Sequence, residues 1–221
     1  MVYFEKSKLI PVSLAVEKLK KNGSYNKQDV LDAIKEDFKN KCYICEWKKP
    51  ISINVEHFIP HKGNKDLKFD WDNLFLACYH CNNTKLGGFT NLLNCTIEAD
   101  NVDKKIKYSI DTFPTGDVII EAVEKSPKVI ETVSLLEAIY NGTTPQKKME
   151  SENLRDAIRE EIDLFRLSLV NFYKTGIPHL KIIYEREIME HLNKNSNFTA
   201  FKKWIIYSRP KLKSDFEKYC N

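Results

Sequence analysis

The sequence predicts an α+β fold: a small β-β-α unit closed by four cysteines, set between two N-terminal helices and a β-hairpin that leads into a mostly helical C-terminal region. Three observations predict it. Two Cys-x-x-Cys pairs, Cys42/Cys45 and Cys78/Cys81, bracket 32 residues. Inside that bracket, Ile51 to Val55 alternates apolar and polar residues at strand period. From Ser126 onward, apolar residues recur at helical spacing between proline and glycine boundaries.

The elements follow in order. Pro11 to Lys21 and Asn26 to Lys39 read as helices joined at Asn22-Gly23-Ser24, the second placing Val30, Leu31, Ile34 and Phe38 on one face. Ile51 to Val55 forms a strand running into Glu56-His57, Asn73 to Ala77 forms a second, and a helix opens at Cys81. Lys105 to Asp111 and Asp117 to Val123 pair as a hairpin around Pro114-Thr115-Gly116. Ser126-Pro127 supplies an N-cap and first-turn proline, and Asn141-Gly142 a stop. Helices then cover about Gln146 to Tyr173, Pro178 to Leu192 and Thr199 to Tyr207, with a short piece after Ser214. The domain reading is 1–40 for the N-terminal helices, 41–100 for the cysteine module, and 101–221 for the hairpin and helices packing on it.

Bulk composition narrows the class. The 221 residues are 42% hydrophobic and 30% charged, ordinary values for a globular protein. No run reaches the length of a membrane span, and Met1-Val2-Tyr3-Phe4-Glu5 lacks the basic-then-apolar order of a signal peptide, so the expectation is a cytoplasmic protein with no membrane partner. In a reducing compartment, cysteines at this spacing bind metal rather than form disulfides. The net charge of +4 is mild for a protein that grips nucleic acid unaided. Residues 1–100 hold 15 Lys/Arg against 13 Asp/Glu, whereas residues 171–221 hold 10 against 5, which places the basic excess at the C-terminal end.

Cys42, Cys45, Cys78 and Cys81 offer four thiolates to a structural Zn²⁺, a soft donor set that suits a tetrahedral closed-shell ion. The gap between the pairs holds two strands and their connection, a segment too small to bury a core of its own. Cys95 and Cys220 have no paired partner and read as packing residues.

Between the cysteines stand Val55-Glu56-His57-Phe58-Ile59-Pro60, Asp72-Asn73-Leu74 and Cys78-Tyr79-His80-Cys81-Asn82-Asn83-Thr84-Lys85. This ordered set resembles the HNH, or ββα-metal, endonucleases. The resemblance implies His57 as the general base that deprotonates the attacking water, a task suited to a side chain that titrates near neutrality. It implies that Asn73 orients that imidazole through its side-chain carbonyl, and that Glu56 and Asn82 give oxygen ligands to one catalytic cation, Mg²⁺ or Mn²⁺. Lys85 and His61 are then expected at the substrate phosphate. Two departures stand out. Glu56 occupies a position where Asp or His is more usual, and Asn83 adjoins Asn82, so a one-residue slip would exchange them. Taken alone, His57 reads as a structural histidine and Asn73 as a turn residue; the constellation reverses both. Glu56 and His57 point to opposite sides of an ideal strand, so both serve one site only if the strand ends or bulges there, and Pro60 marks an end. His80, inside the cysteine knuckle, reads as a bystander.

Cys42-Tyr43-Ile44-Cys45-Glu46 and Phe69-Asp70-Trp71-x-Asn73-Leu74 extend the likeness, and the chain resembles the PtuB-like HNH subunit of Septu-type antiviral systems. That resemblance implies DNA as substrate, an SMC/ABC-like ATPase partner (PtuA-like) and a role in antiphage defence. Two other functions share the same residues: a zinc-stabilised nucleic-acid or protein-binding module without catalysis, and an HNH enzyme that cleaves RNA.

In the tail, Ile158, Ile162, Phe165, Leu169 and Phe172 read as core. Lys202, Lys203, Arg209, Lys211 and Lys213 form the densest basic cluster, read first as a solvated face and second as a phosphate-tracking surface. Glu187-x-x-Glu190-His191 has metal-ligand residue types without a second ligand set and is set aside.

Overall fold

The structure, a computed structural model, describes residues 1–111 and 116–220. Two helices, α1 (Val12–Lys18) and α2 (Gln28–Asp37), open the chain. Their connector turns tightly because residue 23 has no side chain: a Cβ on Gly23 would lie 1.8 Å from the Glu17 carbonyl oxygen. The cysteine module follows with strand β1 (Ile53–His57), a single turn α3 (Lys65–Lys68), strand β2 (Leu74–Cys78) and helix α4 (Tyr79–Lys85). Strands β1 and β2 pair antiparallel, with Ile53 opposite Cys78 and His57 opposite Leu74. All five residues of β2 are buried. One side of its sheet meets α2, where Phe38 packs on Phe75 at a ring separation of 5.2 Å and Val30 and Ile34 are fully buried.

A short helix α5 (Val102–Lys105) leads into the hairpin β3 (Ile106–Ile110) and β4 (Val118–Ala122), antiparallel with Tyr108 opposite Ile120. Of the expected turn, Pro114-Thr115 lies outside the described residues. Helix α6 (Pro127–Asn141) starts where Ser126 Oγ accepts the Val129 N–H, and it stops at Gly142, whose φ is 70°. The remaining helices are α7 (Pro145–Lys174), α8 (Pro178–Leu192), α9 (Thr199–Tyr207) and α10 (Pro210–Phe216). Prolines begin α6, α7, α8 and α10, where a missing N–H costs nothing.

Most boundaries differ from the sequence reading by one to three residues, and three of the differences have a clear physical cause. Strand β1 begins at Ile53 and runs through His57, while Ile51 is fully exposed. Helix α4 begins at Tyr79, because Cys78 acts as its N-cap and its sulfur accepts the Cys81 N–H. The last helix begins at Pro210, four residues before Ser214, since Leu212 and Phe216 lie one turn apart and bury together.

Two apolar cores result. The larger joins the module to α2, the hairpin, α6 and the first half of α7; the smaller gathers Phe165, Leu169, Phe172, Ile188, Leu192, Leu212 and Phe216. Polar contacts also tie the tail to the module. The Tyr140 hydroxyl donates to the Cys45 carbonyl at 3.3 Å, and the buried Lys41 ammonium donates to the Lys194 carbonyl and Thr199 Oγ1. Glu46 accepts the Ala200 N–H and faces the ammonium groups of Lys41 and Met1. Burial raises its pKa, but those two cations overcome the effect and hold it at about 2.

Candidate metal centre and catalytic site

Strand pairing and a helix cap bring the four cysteines together. Cys42 and Cys45 lie on the turn before β1; Cys78 ends β2, and Cys81 is in the first turn of α4. Their sulfurs all lie within 4.8 Å of one another and all four residues are buried. The Cys45 and Cys78 sulfurs are 3.8 Å apart, which matches the edge of a tetrahedron with arms of about 2.3 Å, the Zn–S length. Burial pushes the Cys45 and Cys81 thiols well up, whereas hydrogen bonds from the other three cysteines pull Cys78 well down, and a cation between the sulfurs would hold the set as thiolates. The set fits a structural Zn²⁺. Among the described residues it is the one group of three or more His, Cys, Asp or Glu placed to hold a metal.

On β1, Glu56 and His57 take opposite faces. The strand ends at His57, as Pro60 predicts, yet the two side chains still take opposite faces, so that end does not bring them to one site. Glu56 turns inward. It is 5% exposed, its Oε1 accepts the Tyr43 hydroxyl, and its Oε2 lies 3.4 Å from the Lys85 ammonium. Burial raises its pKa against the pull of Lys85 and Tyr43. Both oxygens are therefore engaged away from solvent, and Glu56 does not fit the expected role of open cation ligand.

Lys85 departs from expectation for the same reason. It is 1% exposed, and its ammonium donates to the His57 carbonyl at 3.1 Å and the Phe58 carbonyl at 2.9 Å. No part of that ammonium is open to a phosphate. It pins the end of β1 to α4 and neutralises Glu56.

His57 turns outward and is half-buried. Its Nε2 lies 3.0 Å from the Lys68 carbonyl, so that nitrogen carries the proton and Nδ1 is left as the basic one. Burial lowers the imidazole pKa below its ordinary 6.5; the Lys68 carbonyl opposes this, while His61, Lys68 and Lys85 add to it. The ring packs edge-on against Tyr25 at 4.5 Å and His61 at 4.7 Å. A neutral, oriented, partly exposed imidazole is what a general base requires.

Asn73 lies beside the site without touching the imidazole. Its Oδ1 accepts the Ile59 N–H at 2.7 Å, and its Nδ2 donates to the Ile59 and Leu67 carbonyls. It staples the loop after β1, and the imidazole is oriented by the Lys68 carbonyl at the end of that loop. Asn82 sits on α4 one turn before Lys85 and on its flank, half-buried. His61, also half-buried, accepts the Gly63 N–H on its Nδ1.

Sequence reading missed Tyr25 and the Lys68 carbonyl. Tyr25 lies 32 residues from His57 in the α1–α2 connector, with no local motif to mark it. A backbone carbonyl has no sequence signature at all. His80 proves structural: Nδ1 meets Glu150 at 2.8 Å and Nε2 meets the Ile139 carbonyl at 2.9 Å, fastening the module to α6 and α7.

The C-terminal basic cluster divides. Lys202 and Lys203 are buried, paired with Glu161 at 3.0 Å and with Asp103 at 2.5 Å, and burial pushes Lys202 down to about 8. They belong to neither a solvated face nor a phosphate track. Arg209, Lys211 and Lys213 are exposed, the last two beside Asp215 and Glu217. Glu187 accepts from Ser168, and no metal-ligand group forms there.

No helix among the described residues is long and apolar enough to cross a membrane. No curated protein matches the chain. The family model described as HNH endonuclease matches residues 42–86, a segment that contains all four cysteines, both strands of the first sheet, α4 and His57.

Proposed function

We propose that the chain is a metal-dependent endonuclease that hydrolyses phosphodiester bonds in DNA with His57 as general base. The observation that carries the reading is the state of His57: neutral near physiological pH, fixed through Nε2 by the Lys68 carbonyl, and half open to solvent inside the segment that matches HNH endonucleases. Nδ1 takes a proton from water, the hydroxide so formed attacks phosphorus, and the 3′ oxygen leaves, giving 5′-phosphate and 3′-hydroxyl ends. A divalent cation, when bound, neutralises charge that develops on the phosphate and the leaving oxygen. Asn82 is the residue of the expected pair that remains available to such an ion, Mg²⁺ or Mn²⁺. Glu56 serves the fold. His61, against the base, is placed to meet the phosphate.

The likeness to PtuB-like subunits supports a place in bacterial antiphage defence beside an SMC/ABC-like ATPase. Co-purification of the tagged chain with such an ATPase tests it. A second reading, a zinc-stabilised binding module without catalysis, draws on one observation: Glu56 is committed to Lys85 and leaves the cation with a depleted ligand set.

The deciding assay is plasmid cleavage by wild type and His57→Ala with Mg²⁺ or Mn²⁺, and with chelator, run in parallel on RNA. Cutting of DNA by wild type alone, lost on chelation, is the expected result. Undiminished cutting by His57→Ala would sink the mechanism, and selective cutting of RNA would change the substrate.

A further inference from the structure

The basic surface of this protein lies beside His57, built from two segments that no run of sequence joins. The first is residues 17–27, the end of α1 and the connector; the second is residues 61–68, the loop after β1 with α3. Together they hold seven lysines (18, 20, 21, 27, 62, 65 and 68) against two acids, Glu17 and Asp66, a balance of +5 that exceeds the +4 of the whole chain.

Four contacts join the segments. The Lys65 ammonium donates to the Lys18 and Lys20 carbonyls at 3.4 and 3.1 Å, capping the end of α1. The Lys68 ammonium donates to the Gly23 carbonyl at 2.8 Å. Lys18 pairs with Asp66 at 2.6 Å. The same Lys68 whose ammonium holds the connector presents its carbonyl to His57, and Tyr25 of the connector packs on the imidazole. The segments that carry the lysines are thus joined to each other and to the base.

We propose that this surface is the DNA-backbone platform of the enzyme, with Lys20, Lys21 and Lys62 contacting phosphates that flank the scissile one. Lys21 and Lys62 are exposed and have no ion-pair partner within 4.0 Å among the described residues, and Lys20 shares Glu17 with Lys27. In the C-terminal cluster Lys211 and Lys213 each face a carboxylate one turn away, as Lys20 faces Glu17 at 2.5 Å. Among the described residues, the exposed cations without an ion pair are therefore Lys21 and Lys62 of the three named here, against Arg209 alone there. An unneutralised lysine field condenses phosphate and releases counterions; a neutralised one does not.

The proposal rests on the nuclease reading for the meaning of the neighbouring base, so binding and cutting are measured separately. Binding is read by fluorescence anisotropy of a labelled mixed-sequence DNA duplex, in the His57→Ala background and across a salt series. The variant Lys20→Gln/Lys21→Gln/Lys62→Gln is compared with Arg209→Gln/Lys211→Gln/Lys213→Gln, which removes the same charge. Zinc content and far-UV circular dichroism verify both folds. The expected result is binding weaker by ~10–100-fold in the first variant, with the salt slope reduced by roughly 0.9 per lysine, and within about twofold of the parent in the second. Equal weakening by both variants, or none by the first, overturns the proposal. Tight binding lost in the first variant without cutting by wild type would refute the nuclease reading and leave the platform standing. Cutting at unchanged KM by the first variant, with His57 intact, would do the reverse.

Discussion

The two faces of the five-residue strand β1 differ in what they are built to do. The inner face carries Glu56 into a closed set with Tyr43 and Lys85, near the four cysteines, where every charge is paired and solvent is absent. The outer face carries His57 to a half-open setting among Tyr25, His61 and the Lys68 carbonyl, at the edge of the lysine surface. One peptide bond separates a residue whose contacts all lie within the fold from the one that the proposed function uses as its base. Adjacent residues in a strand face opposite sides, and the end of this strand at His57 does not bring the two side chains together.

Breaking the inner face hardest means removing a ligand of the metal that the four cysteines are placed to hold. Cys78→Ser is expected to unfold the module, since a structural zinc held by the four cysteines would contribute on the order of 10 kcal/mol to such a small unit. Loss of stoichiometric zinc together with collapse of the thermal transition checks it. Next, on the outer face, His57→Ala should lower cleavage by about 10²–10⁴-fold, the range expected for one general base, while loss of its ring contacts lowers the melting temperature by only about 2–4 °C.

Glu56→Gln sharpens the contrast. It strands the buried Lys85 ammonium and should cost about 3–5 kcal/mol of stability by denaturant unfolding. Glu56→Gln/Lys85→Met should recover part of that loss, the remainder reflecting the His57 and Phe58 carbonyls left without a donor. A smaller effect is expected of Tyr25→Ala: a drop of a few-fold in kcat through loss of about 1 kcal/mol of ring contact that holds the imidazole.

The pH profile belongs to the outer face as well. Burial depresses the His57 pKa, so the imidazole is the unprotonated base throughout neutral pH and becomes protonated only as pH falls below 6.5. Cleavage should therefore be flat above neutrality and fall on the acid side, with an apparent pKa below 6.5. A profile that still rises above pH 7 would point to another base.

Much of this organisation was legible in the chain. Cysteine spacing, strand alternation and the proline and glycine boundaries of α6 to α8 are local signals, and each element they mark occurs within a few residues of its expected place. The paired thiols converge because β1 and β2 bring their flanking turns together, which spacing alone implies. What sequence could not carry is which way a residue faces and what comes to meet it from afar. Glu56 and Lys85 have the residue types of a cation ligand and a phosphate contact, yet 29 positions apart they find each other inside the fold. Charge misled in the same way. Counted along the chain, the basic excess falls in the last 51 residues; in space, Lys202 and Lys203 are buried and paired, while lysines from two distant segments meet beside His57.

The central claim is that the two faces of β1 separate chemistry from stability, and a paired measurement on His57→Ala and Glu56→Gln tests it most directly. Each variant is assayed for divalent-dependent DNA cleavage and for denaturant unfolding, with cleavage read at a temperature where both are fully folded. The account predicts that His57→Ala loses cutting at a stability cost of only about 1 kcal/mol, while Glu56→Gln loses about 3–5 kcal/mol of stability and still cuts. Abolished cutting in a Glu56→Gln protein of undiminished stability would contradict it, and would make Glu56 a member of the catalytic centre.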